Sequence, residues 1–122
     1  MTLLLVAIGA AVGAPLRYLT DLFIQARHDT IFPWGTLTVN VAGSLILGVL
    51  MGMATTGRLD PAIVTLLGPG FCGALTTYST FGYETLRLAE DGSRFLAGVN
   101  VAISLLAGLG AAFIGVVIAA AL

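Results

Sequence analysis

Gly68-Pro69-Gly70-Phe71-Cys72-Gly73-Ala74-Leu75-Thr76-Thr77-Tyr78-Ser79-Thr80-Phe81 is the stretch on which the fold turns. It combines helix breakers with consecutive hydroxyls inside a segment that otherwise suits a bilayer span. Backbone that leaves the helix at membrane depth persists only where protein buries it or where it lines a cavity, because lipid offers no partner for a free N–H or C=O. A helix broken there exposes half-helix ends, with N–H donors suited to anions and carbonyls suited to cations. Beyond the break, Thr77 and Phe81 stand four residues apart, as do Thr80 and Glu84, and Tyr78 and Phe81 stand three apart. Each pair therefore occupies neighbouring positions on a helix. The plainer reading of such an aromatic pair is packing in the core or against lipid.

Outward from this stretch, charge is scarce. Of 122 residues, 58% are hydrophobic and 9% charged. A soluble domain carries roughly a quarter charged residues, so the natural solvent is the lipid bilayer. Sixteen glycines and four prolines agree, since both residues are commoner in membrane helices than in soluble ones. About 20 apolar residues cross a bilayer as a helix. The candidate spans are Thr2 to about Ile24, interrupted by Pro15, Arg17 and Asp21; a segment within the charge-free stretch 30–57, with Trp34 as an interfacial anchor; the Gly- and Thr-rich segment between Asp60 and Glu84; and Phe95 to Leu122. Polar turns at 25–29, 57–61 and 90–94 join them. The fold class is thus an all-α membrane protein, a single four-helix transmembrane domain over residues 1–122 whose third helix is broken. The 25–29 and 90–94 turns share one side and hold Arg27 and Arg94, the 57–61 turn holds Arg58, and Arg87 is near the membrane boundary; so small a bias sets the orientation only weakly by the positive-inside rule. Such a bias permits insertion in both directions, and hence an antiparallel dimer. Met1-Thr2 carries no basic side chain ahead of the apolar run, which reads as a retained first helix rather than a secretory signal.

The same inventory excludes much chemistry. Cys72 and His28 are each the sole residue of their kind, and lysine is absent. No disulfide, thiol metal cluster, His-based catalytic arrangement or basic surface for nucleic acid follows, and no enzymatic site is expected. Cys72 reads as a small packing residue. Gly9-x-x-x-Gly13 and Gly48-x-x-x-Gly52 stack two glycines on a helix face, where a second backbone can approach closely.

The polar groups inside the spans have two readings each. Arg17, one turn before Asp21, is either a snorkelling residue salt-bridged near the helix end or a cation at a vestibule that concentrates anions. Asn40 is either interhelical glue or a pair of amide donors for an anion. Asn100, Ser104 and Gly108 recur every four residues as a narrow polar stripe, suited to interhelical hydrogen bonds or to a track for a small polar solute.

Three blocks together resemble the Fluc/CrcB family of fluoride channels across the whole chain: Gly9-Ala10-Ala11-Val12-Gly13-Ala14-Pro15-Leu16-Arg17-Tyr18, Gly35-Thr36-Leu37-x-x-Asn40-x-x-Gly43-Ser44, and Gly70 to Phe81. The resemblance implies a passive fluoride channel of the bacterial inner membrane that relieves fluoride toxicity. It further implies a dual-topology antiparallel dimer with two pores along the interface, built from two identical chains or from this chain and a second homologue. A structural Na⁺ at the dimer centre, on the backbone carbonyls of Gly73 and Thr76, is implied as well. The family's pore residues fall on Asn40, Tyr78, Thr80, Phe81 and Ser104, and its vestibule groups on Arg17 and Glu84. Two positions depart from the pattern. Tyr78 stands where the family usually has Phe, and Asn100 where many members have Tyr.

The alternatives are a small multidrug-resistance-type exporter, a cation channel with a carbonyl filter, and a structural membrane subunit. The first needs a carboxylate deep in the first helix, and none precedes Asp21. The second needs several copies around one axis and a re-entrant loop.

Overall fold

The computed structural model describes residues 1–27 and 32–122. Its elements are α1 (Thr2–Arg27), α2 (Trp34–Thr55), α3 (Pro61–Thr65), a π-helical segment (Leu66–Cys72), α4 (Gly73–Leu75), α5 (Ser79–Glu90) and α6 (Arg94–Ala121). Four stretches are long and apolar enough to cross a membrane: Thr2–Arg27, Trp34–Thr55, Pro61–Glu90 and Arg94–Ala121. The chain is a multi-pass, all-helical membrane protein. Residues 28–31, which include His28 and Asp29 of the first predicted turn, lie outside the described residues.

Local chemistry explains most boundaries. Pro15 does not end α1, which runs on to Arg27. A proline removes one backbone hydrogen bond, and in a membrane helix neighbouring groups tolerate that loss. The third span starts at an Asp60 cap, whose Oδ1 accepts from the Ala62 N–H at 2.8 Å, with Pro61 in the first turn. Gly57 and Gly92 take positive φ, at 73° and 85°, where the chain leaves α2 and α5. Arg58 in the 57–61 turn donates to the Ala119 carbonyl, placing a cation at the C-terminal end of α6 where the helix dipole favours it.

Small residues set the packing. In α2 and α6, a Cβ on Gly48 would lie 3.0 Å from Ala112 Cα, and one on Gly115 would lie 2.7 Å from the Val49 N. Gly9 and Gly13 lie against the third span, where Cβ atoms would meet the Phe71 N at 2.7 Å and the Ala74 Cβ at 3.2 Å. Both glycine motifs are thus used within one chain. The π-helical segment contains Pro69, which has no N–H to give, and its Gly68 and Gly70 are buried. Single wide turns of this kind occur mostly as local bulges in α-helices, often at functional sites.

Candidate functional site

The third span loses its helix at Thr76, Thr77 and Tyr78. Thr76 is extended, with φ −84° and ψ 164°, and α5 begins at Ser79. Asn40 from α2 holds this gap. Its Nδ2 donates to the Thr77 carbonyl at 3.0 Å, and its Oδ1 accepts from the Thr77 N–H at 2.8 Å. The side chain thereby replaces the helical partners that one broken residue has lost. In an unbroken helix the Thr77 N–H would bond the Gly73 carbonyl. Because it goes to Asn40 instead, the Gly73 carbonyl meets no backbone N–H among the described residues, and neither does that of Thr76. The N–H of Thr80 is met by Thr77 Oγ1 at 3.2 Å, and Thr76 Oγ1 donates back to the Cys72 carbonyl at 2.9 Å.

A groove of about 590 Å³ runs past this break, between α2, the third span and α6. Asn40, Gly73, Thr76, Tyr78, Phe81 and Ser104 all line it, with Leu47, Leu105 and Leu109 supplying an apolar wall. The groove is therefore mostly oily with a few polar groups, the usual make-up of a selective binding site. Asn40 has a second amide N–H beyond the one given to Thr77, and Ser104 has a hydroxyl. Phe81 adds a ring whose rim is positive.

Past Phe81, on α5, Glu84 accepts from the Thr36 hydroxyl at 2.6 Å. The Asp21 carboxylate lies against Gly35, where a Cβ would stand 3.0 Å from both Asp21 Cα and Cγ. Gly35 is in the first turn of α2, so Asp21 sits at the end of that helix which favours a negative charge.

Residues 4–116 match the family described as CrcB-like protein, Camphor Resistance (CrcB). The chain belongs to the CrcB family. Similar proteins are named alike. The "Fluoride-specific ion channel FluC 1" of Streptomyces avermitilis is 60% identical over 122 residues, covering 100% of this chain and 98% of its own length. A protein of the same name from Frankia casuarinae is 61% identical, over 99% of this chain and 98% of its own. The "Fluoride-specific ion channel FluC" of Shewanella sp. (strain ANA-3) is 44% identical, over 84% and 83%.

Within this CrcB chain the residues expected from sequence fall into two groups. Asn40, Tyr78, Phe81 and Ser104, with Gly73 and Thr76, share the groove. Thr80 and Glu84 are on α5 outside its lining, and Arg17 is on α1. The salt bridge read between Arg17 and Asp21 does not form. Among the described residues the one ion pair within reach is Arg87–Asp91, at 3.8 Å on the surface. Asp21 is turned to the start of α2 instead, and Arg17 is left half-buried.

Tyr78 is 89% exposed in the single chain, an aromatic at the groove edge rather than packed in it. Asn100 is outside the groove lining and is buried at 1% exposure. It bonds Thr85 and Ser104 at 2.8 and 3.4 Å, which answers the two readings of the polar stripe differently along its length: glue at Asn100, groove lining at Ser104 and Gly108. Cys72 is buried, as a packing residue should be. Sequence reading assigns no role to Thr85, or to Thr36 beyond its place in the second block. Thr85 lies four residues after Phe81, and that spacing was the available signal. Thr36 meets a partner 48 positions away, a pairing that no local pattern encodes.

Proposed function

We propose that this chain is a passive, fluoride-selective channel, not an enzyme, and that two chains inserted in opposite directions form the working unit. Relatives that match the chain nearly end to end carry the name of fluoride-specific ion channels. The observation that carries the reading is the Asn40–Thr77 clasp beside Phe81 and Ser104 on one groove.

Fluoride is small and strongly hydrated, so a dry path must replace its water with donors. The free Asn40 N–H and the Ser104 hydroxyl are such donors, and Phe81 offers its ring edge. Tyr78 stands at the same wall, with Thr80 on the adjoining turn of α5. Arg17 and Glu84 belong to the vestibules in this reading: the arginine concentrates anions by its field, and the Glu84–Thr36 bond fixes the end of the polar track. An apolar wall excludes water between donors, and several weak sites let the ion leave as readily as it enters.

The groove lies open along the flank of one chain, and a second copy with opposite orientation would close it and give two equivalent paths. The carbonyls of Gly73 and Thr76, left without N–H partners at the break, suit a hard monovalent cation, which takes oxygen ligands. Among the described residues no three His, Cys, Asp or Glu side chains converge to hold a metal, so backbone oxygens are the fitting donors. A Na⁺ there, shared by both copies at the dimer centre, would supply fixed positive charge near the anion path and tie the two chains together. The location that follows is the bacterial inner membrane, and the role is release of fluoride from the cell.

The test is reconstitution. Liposomes loaded with fluoride and containing the pure chain release it passively, while chloride stays behind. Release that appears only when a second homologue is added assigns the chain to a heterodimer. Fluoride and chloride leaving at equal rates would defeat the proposal.

A further inference from the structure

Asn100 does not line the groove, yet it links two residues that do, Ser104 directly and Phe81 through Thr85. At 1% exposure its amide must find partners, because a buried polar group without them costs free energy. It has one on each side. The Ser104 hydroxyl donates to Asn100 Oδ1 at 3.4 Å, the Asn100 Nδ2 donates to Thr85 Oγ1 at 2.8 Å, and the Thr85 hydroxyl donates to the Phe81 carbonyl at 2.8 Å. The end members, Ser104 and Phe81, line the groove; the middle two do not.

The direction of this chain is dictated by its last member. A carbonyl only accepts, so the single Thr85 proton goes to Phe81. Thr85 Oγ1 can then only accept from Asn100, which must present its NH₂ there and turn its carbonyl oxygen to Ser104. The reversed amide would bring two acceptors face to face. Ser104 also has one proton, and Asn100 draws it away from the groove. At 3.4 Å this is the longest link of the three, so the hydroxyl can turn.

We propose that Asn100 is a positioning residue of the anion path: it competes with the passing ion for the Ser104 proton, and so loosens the hold of that site. The inference rests on the groove being the anion path. A site that surrenders its only proton to an anion binds more tightly than one that must first break a bond to Asn100. A loose site suits a channel, since the ion has to leave as well as enter.

The experiment compares passive fluoride flux at low and at high concentration for the parent protein, Asn100→Leu, Ser104→Ala and the double variant in liposomes. With Asn100→Leu the ratio of flux at low fluoride to flux at high fluoride rises about threefold, the effect of one modest hydrogen bond. In the Ser104→Ala background the same replacement leaves that ratio unchanged. Should the leucine variant fail to assemble, Asn100→Ala removes the amide without new bulk and carries the same comparison. A ratio unmoved by the replacement, or moved equally with and without Ser104, overturns the proposal; loss of dimer or of all flux in both Asn100→Leu and Asn100→Ala marks Asn100 as mere packing and also overturns it. A parent protein that releases no fluoride removes the functional reading and this inference together, whereas a conducting parent with no Ser104-dependent shift removes the inference alone.

Discussion

Asn40 carries more of the structure than an amide in a membrane helix usually does. It meets both backbone groups of Thr77, and without it an N–H and a carbonyl would face a medium that offers no water. Leaving a buried donor or acceptor unmet costs roughly 1–3 kcal/mol. Asn40→Leu is therefore predicted to destabilise the protein by about 2–4 kcal/mol, measured as a fall in thermal unfolding midpoint in detergent, and to abolish flux. A variant as stable as the parent would show that the clasp is not what holds the break. The presence of Asn40 in a polar-poor helix was legible in the sequence, and so was its suitability for an anion. Its partner was not, because Thr77 lies 37 positions away and cross-helix pairing depends on how two helices are rotated against each other. The clasp commits one of its two amide donors, and one is left for an ion.

At the scale of the element, the third span was readable because its signals are local. Gly68, Pro69, Gly70 and the Thr76–Thr77 pair weaken a helix wherever they stand. The π-helical form of residues 66–72 was not readable, since it arises where α1 presses its glycines against this segment. The same close approach yields a prediction. In Gly9→Ala the new methyl would crowd backbone atoms, with Phe71 N at 2.7 Å and Gly70 C at 2.9 Å, and backbone cannot swing aside like a flexible side chain. The variant should lose about 1–3 kcal/mol. Gly110→Ala, whose Cβ would meet nothing within 4 Å, should instead be neutral or slightly stabilising. Heating both in detergent and scoring the soluble fraction by gel filtration separates them; equal behaviour would contradict the packing described for α1.

For the whole molecule, four spans and a lipid environment follow from where charges are missing, and that much needed no coordinates. The exposed faces agree: Leu106, Leu109 and Phe113 of α6 are each at least 70% exposed in one chain, as befits side chains that meet lipid or another chain. The arrangement of two chains does not follow from one, and it is the Gly73 and Thr76 carbonyls that make a shared cation attractive. If Na⁺ sits there, replacing it on both sides of the membrane with a large organic cation should slow fluoride flux by about tenfold or more, the effect of roughly 1.4 kcal/mol. Readdition should restore the flux. Flux indifferent to the cation would remove Na⁺ from the account.

The central claim is that the groove beside the Asn40-held break is the path of the ion. Fluoride efflux from liposomes, followed with a fluoride electrode for the parent protein and for Phe81→Ile at equal dimer yield, tests it most directly. Rapid passive efflux is expected for the parent and efflux about tenfold or more slower for the variant, since the ring edge is lost. Efflux no faster than from protein-free liposomes, or identical rates for the two proteins, would contradict it.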